Sequence, residues 1–212
     1  MKSQIAAAAV ALSTLEAVPT VAAAAPVTWE VDSGHSTAQF KVRHLMVSNV
    51  RGALGPVTGT VQIDEKDIAR SRVTVSIDAR GIDTREPKRD EHLRSADFLD
   101  VAQHPTITFR STSVRATSVR AGKAGALEVT GDLTIRGITK SVTLAVDALP
   151  PAIKDPWGNT KRGAVARASI NRKDWGLVWN MALETGGVVV GERIDIEIEV
   201  ELLQRVPAAN DA

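Results

Sequence analysis

The sequence predicts an all-β protein: an antiparallel up-and-down barrel of about eight strands carrying one short helical insertion at about residues 85–103. Three observations lead there. Apolar and polar residues alternate along most segments after Trp29, turn chemistry separates those segments, and one charge-rich stretch breaks the period. A two-sheet sandwich is the runner-up. The 212 residues, 43% of them hydrophobic, suit one domain with a sizeable core.

Residues 1–25 hold Lys2, an apolar run from Ile5 to Leu15 and four alanines at 22–25, the layout of an export signal, with Glu16 an unusual charge at its end. That run is shorter than the roughly 20 residues a spanning helix needs, so no transmembrane span is expected in the mature form. The expected location is periplasmic or secreted. The barrel domain is assigned to 26–206 and a flexible tail to 207–212.

The first long strand, "HSTAQFKVRHLM" at 35–46, places Phe40, Val42 and His44 on one parity. Val61 and Ile63 follow, then Val73, Val75 and Ile77 against Arg72, Thr74, Ser76 and Asp78. The segment 83–105 has no period of two. Asp97 stands there as a helix start and Pro105 as a stop, which predicts one or two short helices capping a barrel end with Leu93, Phe98, Leu99 and Val101 inward. Strands resume at Ile107 and Phe109, at Leu127, Val129, Leu133 and Ile135, and, after the turn "RGIT" at 136–139, at Val142, Leu144 and Val146. Proline, glycine and asparagine make 150–163 a long loop. The clearest strand comes last: Ile194, Ile196, Ile198, Val200 and Leu202 alternate with charged residues. One wet face per strand indicates antiparallel pairing, and closure removes exposed edges.

Composition removes several functions. With 26 basic and 25 acidic residues and no long run of either, no nucleic-acid partner is expected. Cysteine is absent, which excludes thiol nucleophiles, disulfides and cysteine-ligated metals. Of four histidines, His35 and His44 differ by an odd number, so an unbroken strand points them to opposite faces, and no metal site is expected. His44 reads either as a hydrogen-bonded core residue, with Ser36 or a buried carboxylate as partner, or as a ligand contact. "DSGHS" lacks a third catalytic group, and Asp83, Asp90, Asp97 and Asp100 read equally well as caps and a solvated face. No catalytic residue is assigned. Inward Val, Ile, Leu and Ala would line an apolar pocket, although a filled core would show the same alternation.

"HSTAQFKVRHL", "IDT", "RDEHLRSADFLDV", "HPTITFRS", "GDLTIRGITKSV" and "INRKDWGL" occur in the order seen in the YceI-like family, and the resemblance spans 29–203. It implies a lipocalin-like barrel holding a polyisoprenoid in an apolar tunnel, no required cofactor beyond that lipid, and no enzymatic activity. By position it implies tunnel residues Phe40, His44, Leu45, Leu93, Phe98, Phe109 and Trp175, with Arg89, Asp90 and His92 anchoring the insertion or receiving a polar head group. Leu54, Leu99 and Trp175 depart from residues usual in the family, the first two replacing rings. The expected partner is an isoprenoid lipid, a quinone or prenyl phosphate; a homodimer and a transient membrane contact stay open. So do two other functions: an enzyme on such a lipid using His44 or His92, and a stress-related structural protein with a filled core.

Overall fold

The computed structural model describes residues 25–117, 119–120, 123–184 and 186–205. The expected export signal and the tail at 207–212 lie outside the described residues, apart from Ala25. Among the described residues thirteen strands form, in chain order: β1 Val27–Val31, β2 Thr37–His44, β3 Ser48–Ala53, β4 Val57–Ile63, β5 Arg72–Asp78, β6 Thr106–Ala116, β7 Val119–Arg120, β8 Lys123–Ala124, β9 Leu127–Ile135, β10 Ile138–Val146, β11 Ile153–Lys154, β12 Thr160–Asn171 and β13 Val190–Gln204. Helix α1 is Pro87–Arg94.

Antiparallel pairing runs from β12 through β10, β9, β6, β5, β4 and β1 to β13, and β13 pairs back onto β12. The result is a closed barrel of eight strands, as expected, and not a sandwich. Closure rests on β13. One edge pairs β12 from Asn171↔Arg193 to Lys161↔Leu203. The other pairs β2 and then β1, up to Trp29↔Gln204. The wall is thinnest between β10 and β12, paired at Ala145↔Arg167 and Val146↔Ala166 and continued by Asp147 N donating to Val165 O at 3.0 Å.

The first strand is not continuous. The Asp32 carboxylate accepts from Gly34 N at 3.1 Å and faces His35 Nδ1 at 3.0 Å, while Ser36 Oγ donates to Asp32 O and accepts from Glu201 N at 3.1 Å. Side chains thus replace ladder bonds at the break between β1 and β2. Ser36 is thereby engaged away from His44, which corrects its expected partnership. The β9 to β10 turn has Arg136 at φ 49° and Gly137 at φ 71°, the paired left-handed geometry of a two-residue hairpin.

The helical insertion forms, but its start differs from expectation. Glu86 caps α1 by accepting from Lys88 N and Arg89 N, and Pro87 supplies a fixed φ in the first turn. Asp97 lies in a turn, where its carboxylate meets His92 Nε2 at 2.9 Å, so it starts no second helix. Phe98 and Leu99 are buried, and Leu93 and Val101 pack against the main core, as the sequence indicates. The 150–163 stretch is not all loop: β11 pairs the start of β12, leaving Trp157 82% exposed at the tip. Among the described residues, no helix is long and apolar enough to cross a membrane.

At the end away from α1, Trp29, Ile63 and Leu202 form a separate buried cluster. The Arg162 guanidinium lies 5.5 Å from the Trp29 ring centre, a cation over a π face that plugs this end. The barrel therefore has one closed end and one end covered by the insertion.

Candidate functional site: an apolar tunnel with a polar mouth

Two apolar cavities are stacked inside the barrel. The upper one, about 150 Å³, lies under the insertion and is walled by Phe40, Val42, Leu93, Phe98, Leu133 and Ile196 among others. The lower one, about 110 Å³, is walled by Val31, Val75, Phe109, Val129, Ile198 and Leu202 among others. Inward residues of one strand pass from one to the other, as with Ile196 and Ile198 or Leu133 and Val129. This follows from the period of two: every second residue of an antiparallel strand faces the interior.

Phe109 marks the boundary. Gly131 sits on the inward parity of β9 between Val129 and Leu133, and a Cβ there would stand 2.6 Å from Phe109 Cζ. The ring thus occupies the space that the glycine leaves. Phe40 uses the same device at the upper end: it pairs across the ladder with Gly52, whose added Cβ would stand 2.7 Å from the Phe40 ring.

A third cavity of about 150 Å³ forms the mouth beside the insertion. It shares Phe40, Val42, Leu93, Phe98 and Val190 with the upper cavity and adds Arg43, His44, Arg89, His92 and Trp179. The His92 ring stands edge-on to Phe98 at 5.0 Å and to Trp179 at 4.8 Å. Arg89 is aimed by Thr84, to whose hydroxyl its Nε donates at 2.7 Å and to whose carbonyl its Nη2 donates at 2.9 Å. Asp90, buried, accepts from Thr84 N at 2.8 Å and Thr84 Oγ1 at 2.5 Å. Asp90 therefore ties the insertion to the segment before it, whereas Arg89 and His92 reach the mouth.

The implied tunnel residues divide by position. Phe40, Leu93 and Phe98 wall the upper cavity and His44 the mouth. Phe109 belongs to the lower cavity. Two placements differ from expectation. Leu45 is 38% exposed at the tip of the β2–β3 turn, because its φ of 50° turns the chain out of strand geometry. Trp175 is 2% exposed and packs in the wall, its Nε1 donating to Leu133 O at 3.1 Å, so it supports the tunnel from behind.

Sequence reasoning did not single out Arg172 or Trp179. Arg172 is 2% exposed yet faces the upper cavity, and its guanidinium donates to the carbonyls of Gly191 at 2.9 Å, Val190 at 3.3 Å and Leu177. Burial pulls its pKa below the ordinary arginine value, against the attraction of Glu192. Its place inside "INRKDWGL" was the available signal; a cation on the apolar parity of a strand end was legible there as a loop clamp.

Two polar features lie outside the tunnel. An open groove of about 600 Å³ runs where β10 leaves β12, reaching Phe40 and Ile196 of the upper cavity wall, and most of its ions are paired, Lys41 with Asp195 at 3.1 Å and Arg167 with Glu197 at 2.6 Å. Asp32, His35 and Glu201 bring ligand atoms within 4.8 Å of one another, a grouping that strand parity did not anticipate because Glu201 comes from β13. The Lys161 ammonium already sits there, 2.6 Å from Glu201 Oε1 and 3.4 Å from Asp32 Oδ2, supplying the positive charge.

A closed eight-stranded barrel with an apolar interior and a helical cover defines the lipocalin-like class. The profile of the YceI-like domain matches residues 29–202, and the chain belongs to that family. A UPF0312 protein of Vibrio cholerae is 35% identical over 199 residues, covering 93% of this chain and 97% of that protein. Protein YceI of Escherichia coli O157:H7 is 37% identical over 171 residues, covering 81% and 83%. The crystal structure of Burkholderia cenocepacia BcnA superposes with a TM-score of 0.65 at 20% identity, covering 81% of this chain and 98% of that one. A polyisoprenoid binding domain from Saccharophagus degradans superposes with a TM-score of 0.60 at 13% identity, covering 84% and 99%. These two structural likenesses concern the fold alone.

Proposed function

We propose that the barrel binds and carries, or sequesters, a long isoprenoid lipid outside the cytoplasm, tail in the stacked cavities and head group at the mouth. The observation that carries this reading is the file of apolar cavities ending at a mouth where Arg43, His44, Arg89 and His92 gather. An apolar chain gains free energy by leaving water for such walls. A quinone or prenyl phosphate head would find hydrogen-bond donors at Arg89 and His92, and a phosphate would find charge-assisted ones. The family membership and the fold shared with the polyisoprenoid binding domain from Saccharophagus degradans lend support.

Binding is favoured over catalysis. His92 has a carboxylate partner, Asp97, but that side chain is 55% exposed and outside the mouth lining, which suits a bond that shapes the insertion. Organic extraction of the native protein followed by mass spectrometry tests the reading: an isoprenoid is expected, and readded isoprenoid should raise Tm as ligand linkage requires. No extracted lipid together with an unmoved Tm overturns it.

A further inference from the structure

The β2–β3 hairpin turns at Leu45 and Met46, whose φ values are 50° and 60°, with Val47 N donating to His44 O at 3.1 Å. The loop is Leu45–Val47, since His44 pairs with Ser48, and both central residues of its 44–47 turn are left-handed, the conformation that Asn and Gly favour because bulky side chains fit it poorly. Leucine and methionine in it are a local conflict between sequence and backbone, and such conflicts collect where function requires the side chains.

The tip is also apolar and exposed. Val47 is 75% exposed, Met46 39% and Leu45 38%. The neighbouring loop, residues 177–189, adds Val178 at 63% and Met181 at 59%. The two segments are stitched together: Leu45 N donates to Val189 O at 2.8 Å, Val189 N donates to Met181 O at 3.0 Å, and a Cβ on Gly187 would stand 3.3 Å from Met46 Cγ. They make one apolar rim beside the mouth, with Trp179 half-buried behind it.

The charge at this rim has one sign on the hairpin. Arg43 Nη2 donates to Met46 O at 2.7 Å, holding its guanidinium at the tip, while Lys41, paired with Asp195, and Arg51 lie further down the hairpin along the outer groove; residues 39–53 contain no carboxylate. Glu184 is the one carboxylate in 177–189. Exposed apolar side chains with a flanking aromatic and cations are the composition of a surface that lies in the headgroup region of an anionic bilayer.

We propose that this rim docks the barrel mouth onto the surface of a bilayer containing anionic phospholipids. Leu45, Met46, Val47, Val178 and Met181 enter the headgroup boundary and Arg43 pairs with phosphate. The proposal rests on the lipid-carrier reading for its purpose, since docking would place the mouth where an apolar chain can pass between bilayer and barrel without crossing water.

Flotation of the full chain with phosphatidylcholine–phosphatidylglycerol vesicles tests it. Binding is expected, weaker with phosphatidylcholine alone and weaker at high salt. Val47→Glu should weaken binding at least tenfold while its melting curve and extracted lipid stay those of the wild type. The double change Leu45→Asn, Met46→Gly gives the turn its preferred residues and should raise Tm while vesicle binding falls. A folded Val47→Glu that floats like the wild type, no flotation with either vesicle, or a higher Tm with unchanged flotation overturns the docking. So does a rim that holds two copies of this chain together, read as a wild-type dimer that Val47→Glu makes monomeric without any vesicle binding. Loss of extractable lipid with flotation retained would instead overturn the carrier reading.

Discussion

Phe109 packs against Gly131, its Cζ 2.6 Å from where a glycine Cβ would stand, at the level where the inward residues of β9 pass from Leu133 of the upper cavity to Val129 of the lower. The glycine and the ring form one unit: β9 omits a side chain where β6 sends one in. The ring is therefore the side chain to remove in testing whether the two cavities serve one ligand tail.

Phe109→Ala should join the cavities. Phe109 is 7% exposed, so truncation is expected to cost roughly 3 kcal/mol in denaturant unfolding. The variant should retain longer isoprenoids than the wild type when loaded with a mixture and read by mass spectrometry. Equal chain-length distributions would show that the ring does not limit the tail.

Asp90→Ala should loosen the insertion. It removes the acceptor for both Thr84 N and Thr84 Oγ1, and a buried backbone donor left without a partner costs about 1–3 kcal/mol. Because Thr84 also aims Arg89, lipid exchange monitored with a fluorescent isoprenoid should become faster. Unchanged exchange with lowered stability would mean that the cap does not control entry.

Arg172→Met should cost about 2 kcal/mol, since it strands the carbonyls of Gly191 and Leu177, while Val190 O keeps the Asn180 Nδ2 donor at 2.7 Å. Hydrogen exchange should rise first in the 177–191 segment that these bonds hold. A uniform rise over the barrel would argue against a local clamp.

Stability should fall in acid through Asp195. The Ser169 hydroxyl at 2.6 Å, then Arg193 at 2.7 Å and Lys41 at 3.1 Å hold its carboxyl well below the usual carboxylate range. A group depressed in the folded state stabilises it above the unfolded pKa, about 3.9, and loses that contribution as pH falls below it. Asp195→Asn should lower Tm at neutral pH and flatten its decline below about pH 4. Parallel Tm profiles for the two proteins would remove Asp195 from the acid transition.

Ile196→Asp should prevent folding, because it places a charge in the upper cavity wall, whereas Glu197→Ala one residue on loses only an exposed pair with Arg167. Circular dichroism melts of both variants check the contrast.

Alternation along 193–203 was enough to predict a one-sided strand, the same reading of the other strands led to the barrel and the inward parity of Phe40 and His44, and the break in that period with its helix signals marked the insertion. That works because strand periodicity is local: burying one face is written into every second residue. The start of α1 was also local, in Glu86 and Pro87, but Asp97 carries a competing signal that its bond to His92 absorbs. What the sequence by itself determined was thus the fold class, the faces and the exclusion of cysteine chemistry. The tertiary structure alone decided that β13 would close the barrel on both of its edges, and that Arg162 over Trp29 would plug one end. It also decided that Phe109 would pack against Gly131 and that Leu45 would leave the tunnel for the rim. Each of these depends on pairs 22 or more residues apart or on a turn geometry contrary to its residues' preference, and neither is encoded in a period.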